Sequence, residues 1–235
     1  MSEDLTAYKE AAAAEAVKLV ERGMRLGLGS GSTAAAFVRH LGGRVRDDGL
    51  NVICVSTSEM TQALADDQGI PTATLDEYPE LDLAVDGTDE IDGKLRLIKG
   101  GGGAHVREKI VAASAERFVV IADHTKKVDL LGAFPLPIEI VPFGVKATLR
   151  HLEEAARMVG VGGAFVERMT PDGRVLETDN GNVILDARFE EIANPEAVAQ
   201  ALDAVPGVVG HGLFLGMATG AILSGPAGIE TMGDV

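Results

Sequence analysis

Three near-continuous apolar runs, Leu50 to Val55, Leu81 to Val85 and Phe118 to Ala122, constrain this chain more than any other feature. A strand apolar on both faces must be covered on both faces, and parallel sheets flanked by helices meet that condition. Helical stretches separate the runs. Leu5 to Arg22, rich in alanine with Val17, Leu19 and Val20, predicts a helix closed by Gly23. Met24 to Leu28 follows as a short strand, then a helix from about Ala34 to Leu41, closed by Gly42-Gly43. Ser58 caps a helix through Asp67 that Gly69 ends. Leu95 to Ile98 predicts a strand beyond an acidic loop, and Ala104 to Ala115 a helix. This alternation specifies an α/β architecture with a Rossmann-like, mostly parallel sheet.

The pattern changes after Lys127. Phe134-Pro135-Leu136-Pro137 leads into a strand, Ile138 to Val141, and a helix from about Val145 to Val159. Asp179-Asn180-Gly181 between Val175-Leu176 and Val183-Ile184-Leu185 is a hairpin signal, and Asn194-Pro195 starts a helix to about Ala204. This β-α-β-β-α order predicts a smaller inserted α+β (ferredoxin-like) domain. The expected boundaries are 1–130 with 206–235 for the catalytic domain, and 131–205 for the small one, which is expected to serve oligomerisation.

Charge excludes several functions. The 235 residues carry a net charge of −15 with a pI near 4.7, and no basic stripe offsets it. Such a chain repels nucleic acid and anionic membranes, and any phosphate site must be built locally from amides, hydroxyls and a few lysines. Only eight of the 21 basic residues are Lys, which fits a salt-rich cytoplasm and equally fits simple solubility. Cys54, the single cysteine, lies in an apolar run and reads as a buried structural thiol; the absence of an intramolecular disulfide fits a reducing cytoplasm. The acidic start, Met1-Ser2-Glu3-Asp4, has no signal-peptide pattern. Val205 to Ile229 is free of charge but broken by Pro206, Pro226 and glycines, so it reads as buried strand and loop.

Three loops have the composition for chemistry. Gly29-Ser30-Gly31-Ser32-Thr33 joins a strand to a helix, where bare amides, hydroxyls and the helix macrodipole suit an anion. It lacks the Gly-Lys of a Walker loop and the third glycine of a dinucleotide fingerprint, and a tight capped turn is the alternative reading. Asp86-Gly87-Thr88-Asp89-Glu90-Ile91-Asp92 ends an apolar strand in four acids. A solvated turn explains one of them more easily than all four, and the calcium-loop spacing is absent. Lys99-Gly100-Gly101-Gly102-Gly103 runs into a helix carrying Glu108. Four glycines are costly to order, and unobstructed amides facing a ligand are the compensating gain. Near a helix start the dipole favours the ionised, basic form of Glu108, and Lys99 is placed to stabilise an oxyanion. His105 reads as a packing or surface residue. Together these groups suit proton transfer beside a carbonyl.

These segments resemble the signatures of the type A ribose-5-phosphate isomerase family. The resemblance continues through Ile121 to Val128, Phe134 to Pro137, Thr178-Asp179-Asn180-Gly181-Asn182 and Pro206-Gly207-Val208-Val209, and so covers nearly the whole chain in order. It departs at Thr88, Gly103 and Ser30, all small changes that keep donors or backbone room. The resemblance implies interconversion of D-ribose 5-phosphate and D-ribulose 5-phosphate through an enediolate, without cofactor or metal. It makes Glu108 the base, and gives Asp86, Asp89 and Lys99 the tasks of ring opening, hydroxyl-proton relay and enediolate stabilisation. Substrate contacts are expected from Ser30, Gly31, Ser32, Thr33, Asp86, Gly87, Thr88, Asp89, Lys99, Gly100, Gly101, Gly102 and Lys126, with Lys9 a further candidate for the phosphate. A cytoplasmic homo-oligomer is implied. A non-catalytic sugar-phosphate sensor, or a deaminase or transferase using Lys99 as a Schiff base, are the alternatives.

Overall fold

The apolar runs become strands of one six-stranded sheet, those from Leu81 and Phe118 side by side at its centre and that from Leu50 at one edge. The computed structural model describes residues 5–235. In chain order its first elements are α1 (Leu5–Ala16), β1 (Arg25–Leu28), α2 (Gly31–Asp47), β2 (Ile53–Ser56), α3 (Glu59–Asp67) and β3 (Leu81–Asp86). Next come β4 (Glu90–Ile91), β5 (Leu97–Ile98), α4 (His105–Ala113), β6 (Ala115–Asp123), β7 (Leu136–Ile140) and α5 (Val145–Met158). The remainder are β8 (Ala164–Glu167), β9 (Val183–Arg188), α6 (Pro195–Asp203), β10 (Val208–His211), β11 (Leu213–Phe214), β12 (Gly220–Gly225) and β13 (Gly228–Gly233).

The chain divides into two compact units. One holds the residues up to Thr88, Arg107–Lys127 and Gly216–Val235. Its six-stranded sheet has the order β13-β12-β6-β3-β1-β2, parallel except for β13 at one edge. The chain moves from β1 outward to β2, then returns to β3 on the other side, so the winding reverses between β1 and β3. Open α/β sheets bind ligands beyond the carboxyl ends of their strands at such a point. The core of this unit centres on Leu26, Leu28, Phe37, Leu41, Leu83 and Ile121, all buried. Ala12, Ala13 and Ala16 join it from α1, and their small side chains let that helix lie close to α2 and the sheet. Cys54 sits fully buried here, and burial pushes its thiol up to about 12.

The other unit holds Asp89–Val106 and Val128–Leu215. Its four-stranded antiparallel sheet has the order β10-β7-β9-β8, and with α5 and α6 it follows the β-α-β-β-α-β course of ferredoxin-like folds. A three-stranded sheet, β11-β5-β4, accompanies it. The division differs from the expected boundaries. Residues 89–106, 128–130 and 206–215 go with the second unit because β4 and β5 pair with each other and β5 with β11, Ile98 and Leu213 join its core, and Val128 N donates to Ile91 O.

Local differences have local causes. The helix expected to close at Gly42-Gly43 continues to Asp47, and a Cβ on Gly42 would lie 2.7 Å from that of Gln68. Here the glycine marks a close packing contact that outweighs its poor helix propensity. The first helix ends at Ala16, followed by a tight turn at Val17–Leu19. The Asp179-Asn180-Gly181 turn forms, with Gly181 N donating to Thr178 O, but its first arm makes only isolated bridges while β9 pairs with β7 and β8. The caps at Ser58 and Asn194 form as expected, accepting from Thr61 N and Ala197 N at 3.1 Å. The charge-free segment 205–229 contributes to β10, β11, β12 and β13, and no helix among the described residues is long and apolar enough to cross a membrane.

Candidate active site

In the first unit the loops after β1 and β3 meet at the reversal between those strands. Asp86 ends β3 and is buried; its Oδ1 accepts from Ser30 N at 3.1 Å and from Gly87 N at 2.7 Å. One carboxylate oxygen therefore ties the loop after β1 to the loop after β3. Gly29 makes this possible, since a Cβ there would collide with the Asp86 carboxyl group. Ser30 is the N-cap of α2, yet its hydroxyl makes no cap bond. It joins a hydroxyl cluster instead, 2.7 Å from Thr57 Oγ1, 2.8 Å from Ser58 Oγ and 3.2 Å from Thr61 Oγ1. A cap serine ordinarily satisfies a first-turn amide. With that hydroxyl turned away, the start of α2 keeps the amide-rich, electropositive character that suits an anion. Ser32 accepts a hydrogen bond from Lys9 Nζ at 3.1 Å, and Thr33 is buried beside Gly87.

Glu108 lies in the first turn of α4 and is buried at 5 % exposure. Val111, one turn further on the same helix, packs onto β1 so closely that a Cβ on Gly27 would sit 2.5 Å from its Cγ1. Because α4 leads into the parallel strand β6, its N-terminal turn is at the carboxyl edge of the sheet. Lys126 closes a short turn, His124–Lys126, after β6. Asp123 caps that turn, accepting from Thr125 N at 3.1 Å and from the Thr125 hydroxyl.

In the second unit the other three acids of the acidic loop and the glycine run acquire separate roles. Asp89 accepts from Gly101 N, its Oδ2 lying at 2.7 Å. Glu90 is a structural anchor whose two oxygens accept from Gly132 N (2.7 Å) and Phe134 N (2.5 Å). Asp92 holds its own turn, accepting from Lys94 N and Arg96 N and pairing with the Arg96 guanidinium at 2.7 Å. Lys99 is buried with its ammonium 5.5 Å from the Phe214 ring centroid, and its amide donates to Gly212 O at 2.9 Å. Gly100 to Gly103 form a turn closed by Gly103 N donating to Gly100 O, with positive φ at both ends. Gly101 and Gly102 reach solvent, as does Thr88 at the end of the first unit's β3 loop. His105 is fully buried against Gly100.

Three features escaped the sequence reading: the Lys9–Ser32 contact, the Asp123 cap under Lys126, and Arg168, which donates to the carbonyls of Gly100 and Gly101. Asp123 lies in the Ile121 to Val128 segment of the resemblance, which by itself assigns it no role. Nothing local flagged Arg168, which is distant in sequence from the glycines it holds. Among the described residues, no group of three or more His, Cys, Asp or Glu side chains is arranged to hold a metal ion.

A buried carboxylate at a helix start, on the ligand-binding edge of a doubly wound sheet, is the equipment of an α/β enzyme that works by proton transfer. The family model of ribose 5-phosphate isomerase A (phosphoriboisomerase A) matches residues 53–228. The ribose-5-phosphate isomerase A of Methylorubrum extorquens is 56% identical over 94% of this chain and 93% of its own length. The solved structure of ribose 5-phosphate isomerase A from Methanocaldococcus jannaschii is 41% identical with a TM-score of 0.90, covering 97% of this chain and 99% of that one. A D-ribose-5-phosphate isomerase solved in complex with phospho-erythronic acid is 36% identical with a TM-score of 0.92, covering 99% of this chain and 100% of that one. The chain belongs to the ribose 5-phosphate isomerase A family.

Proposed function

We propose that the chain interconverts D-ribose 5-phosphate and D-ribulose 5-phosphate through an enediolate, with Glu108 as the base. The observation that carries this reading is the placement of Glu108, a buried carboxylate in the first turn of α4 at the carboxyl edge of the sheet. In the open-chain aldose the C2 proton is acidified by the C1 carbonyl. Glu108 takes that proton, the new C1–C2 double bond forms, and the carbonyl electron pair moves to O1. The carboxylic acid then returns the proton to C1 while the O2 hydroxyl proton passes to O1, leaving the ketone at C2. No atom or electron is gained or lost.

Lys99 supplies positive charge to the developing oxyanion, which is most effective in a buried setting. Asp86 and Asp89 move the hydroxyl protons during ring opening and between O1 and O2, and Thr88, Gly87 and Gly100 to Gly102 line the sugar. The phosphate is taken by the Ser30 to Thr33 loop with Lys126 and Lys9. The relative that holds phospho-erythronic acid supports this reading, because a phosphorylated sugar acid pairs a phosphate with a carboxylate resembling the enediolate oxygens. The same reading makes the chain a cytoplasmic homo-oligomer; Phe143 at 89% exposure and Met158 at 80% on the second unit support self-association. The test is a coupled assay for ribulose 5-phosphate formed from ribose 5-phosphate in excess EDTA. Formation of the ketose is expected. Absence of product with well-folded protein sinks the reading, and a Lys99 adduct trapped by borohydride would favour the deaminase or transferase alternative.

A further inference from the structure

Gly100 and Gly101 share one peptide unit, and that unit is held at both ends. Its carbonyl, Gly100 O, accepts from Arg168 Nη1 at 2.7 Å, and its N–H, on Gly101, donates to Asp89 Oδ2 at 2.7 Å. The next carbonyl, Gly101 O, lies 3.2 Å from the same Nη1. Flanked by two glycines, such a peptide plane rotates at little steric cost, and a flip would turn the N–H away from Asp89. The Gly103 N–H holds the same carbonyl from within the turn, and Arg168 adds a charged donor from outside it against the flip.

Arg168 is itself held. Its Nε donates to Asp186 Oδ2 at 2.9 Å and its Nη2 to Asp186 Oδ1, a bidentate pair that leaves the guanidinium one orientation. Its backbone is fixed on both sides, its N–H donating to Ile184 O and its carbonyl accepting from Leu176 N. The pair is largely shielded, with side-chain exposures of 12% and 20%. The result is a line from Asp186 through Arg168 and one polarised peptide to the Asp89 carboxylate. Hydrogen bonds in such a chain strengthen one another.

We propose that Arg168 is a positioning residue for isomerisation: through the Gly100–Gly101 peptide it sets the orientation of the Asp89 carboxylate. The inference rests on the functional reading above, in which Asp89 relays hydroxyl protons. Arg168→Gln is expected to lower kcat about ten- to hundredfold, the order expected when a reacting group is misplaced by about an ångström. KM should stay within about threefold, because Arg168 acts through a peptide. The decisive measurement is a double-mutant cycle with Asp89→Asn. If Arg168 works through Asp89, Arg168→Gln has little further effect on kcat once Asp89 is gone. Equal loss in both backgrounds, unchanged kcat, or a change confined to KM or thermal stability overturns the proposal. Should Arg168→Gln not fold, Asp186→Asn takes its place in the same cycle, with a smaller loss expected. A wild-type chain without isomerase activity would overturn the functional reading and this inference with it; an active wild type with an insensitive Arg168→Gln overturns this inference alone.

Discussion

The serine loop before α2 and the glycine run before α4 are both rich in bare backbone, and each has amides held by a carboxylate. They differ in how the loop is kept still. Around Ser30 the restraint is dense and close to the sheet: Asp86 from the adjacent strand holds two amides, and Thr57, Ser58 and Thr61 share the cap hydroxyl. Around Gly101 the restraint comes from one carboxylate and one arginine, the latter brought in by a different sheet. A loop seated on strand ends inherits their rigidity, whereas a glycine turn has to borrow it.

The largest effect is expected at Glu108, which neither loop can replace. Glu108→Gln should leave folding and KM nearly intact and cut kcat by roughly a thousandfold or more, in keeping with loss of a general base. Near-normal turnover would remove the premise on which the two loops are compared. Next is Gly29→Ala, whose Cβ would collide with the Asp86 carboxyl group. Overpacking of this kind costs about 1–3 kcal/mol, and activity should fall at least about tenfold as Asp86 is displaced. The matching change in the glycine run is position-dependent. Gly101→Ala puts a Cβ 2.6 Å from Asp89 Oδ1, while Gly102→Ala meets nothing within 4 Å. Chemical denaturation should show Gly102→Ala within about 0.5 kcal/mol of wild type, with Gly101→Ala the less stable and less active of the two. Equal behaviour at both positions would mean that the run is not held as described.

Smaller still is Ser30→Ala, which takes a partner from the buried Thr57 hydroxyl while Ser58 and Thr61 keep each other. Leaving a buried polar group short of a partner costs about 1–3 kcal/mol, and a raised KM should accompany the loss if this loop takes the phosphate. The smallest effect belongs to the Arg25–Asp82 pair, 2.9 Å apart, which joins the strands beneath the serine loop. Hydrogen bonding from the Arg25 side chain holds the Asp82 carboxyl below its ordinary value of 3.8. A depressed carboxylate stabilises the fold above its unfolded pKa and loses that contribution as pH falls through the folded value. Unfolding measured between neutral pH and about pH 3 should therefore show a slightly shallower acid loss in Asp82→Asn than in wild type, modest because the pair is partly exposed.

How much could be read in advance follows the same division. The three apolar runs, the caps at Ser58 and Asn194, the Asp-Asn-Gly turn and the Ser30 loop rest on signals within a few residues, and each forms. α2 runs past its expected end because Gly42 packs against Gln68, the residue that closes the next helix. The strand expected over Leu95 to Ile98 forms as β5, whereas β4 and β11 have two residues each, too few to register a period.

The acidic loop separates the two kinds of information most sharply. Sequence alone determined that a parallel α/β sheet ends in a set of carboxylates, that a glycine run follows, and that Glu108 opens a helix, because hydrophobic period and turn chemistry are local properties. Only the tertiary structure decided how the acids divide. Glu90 holds Gly132 and Phe134, Asp92 holds its own turn and Arg96, Asp86 binds the serine loop and Asp89 the glycine turn. A carboxylate's role is set by the donors that come within about 3 Å of it, and those donors are assembled by folding from distant parts of the chain.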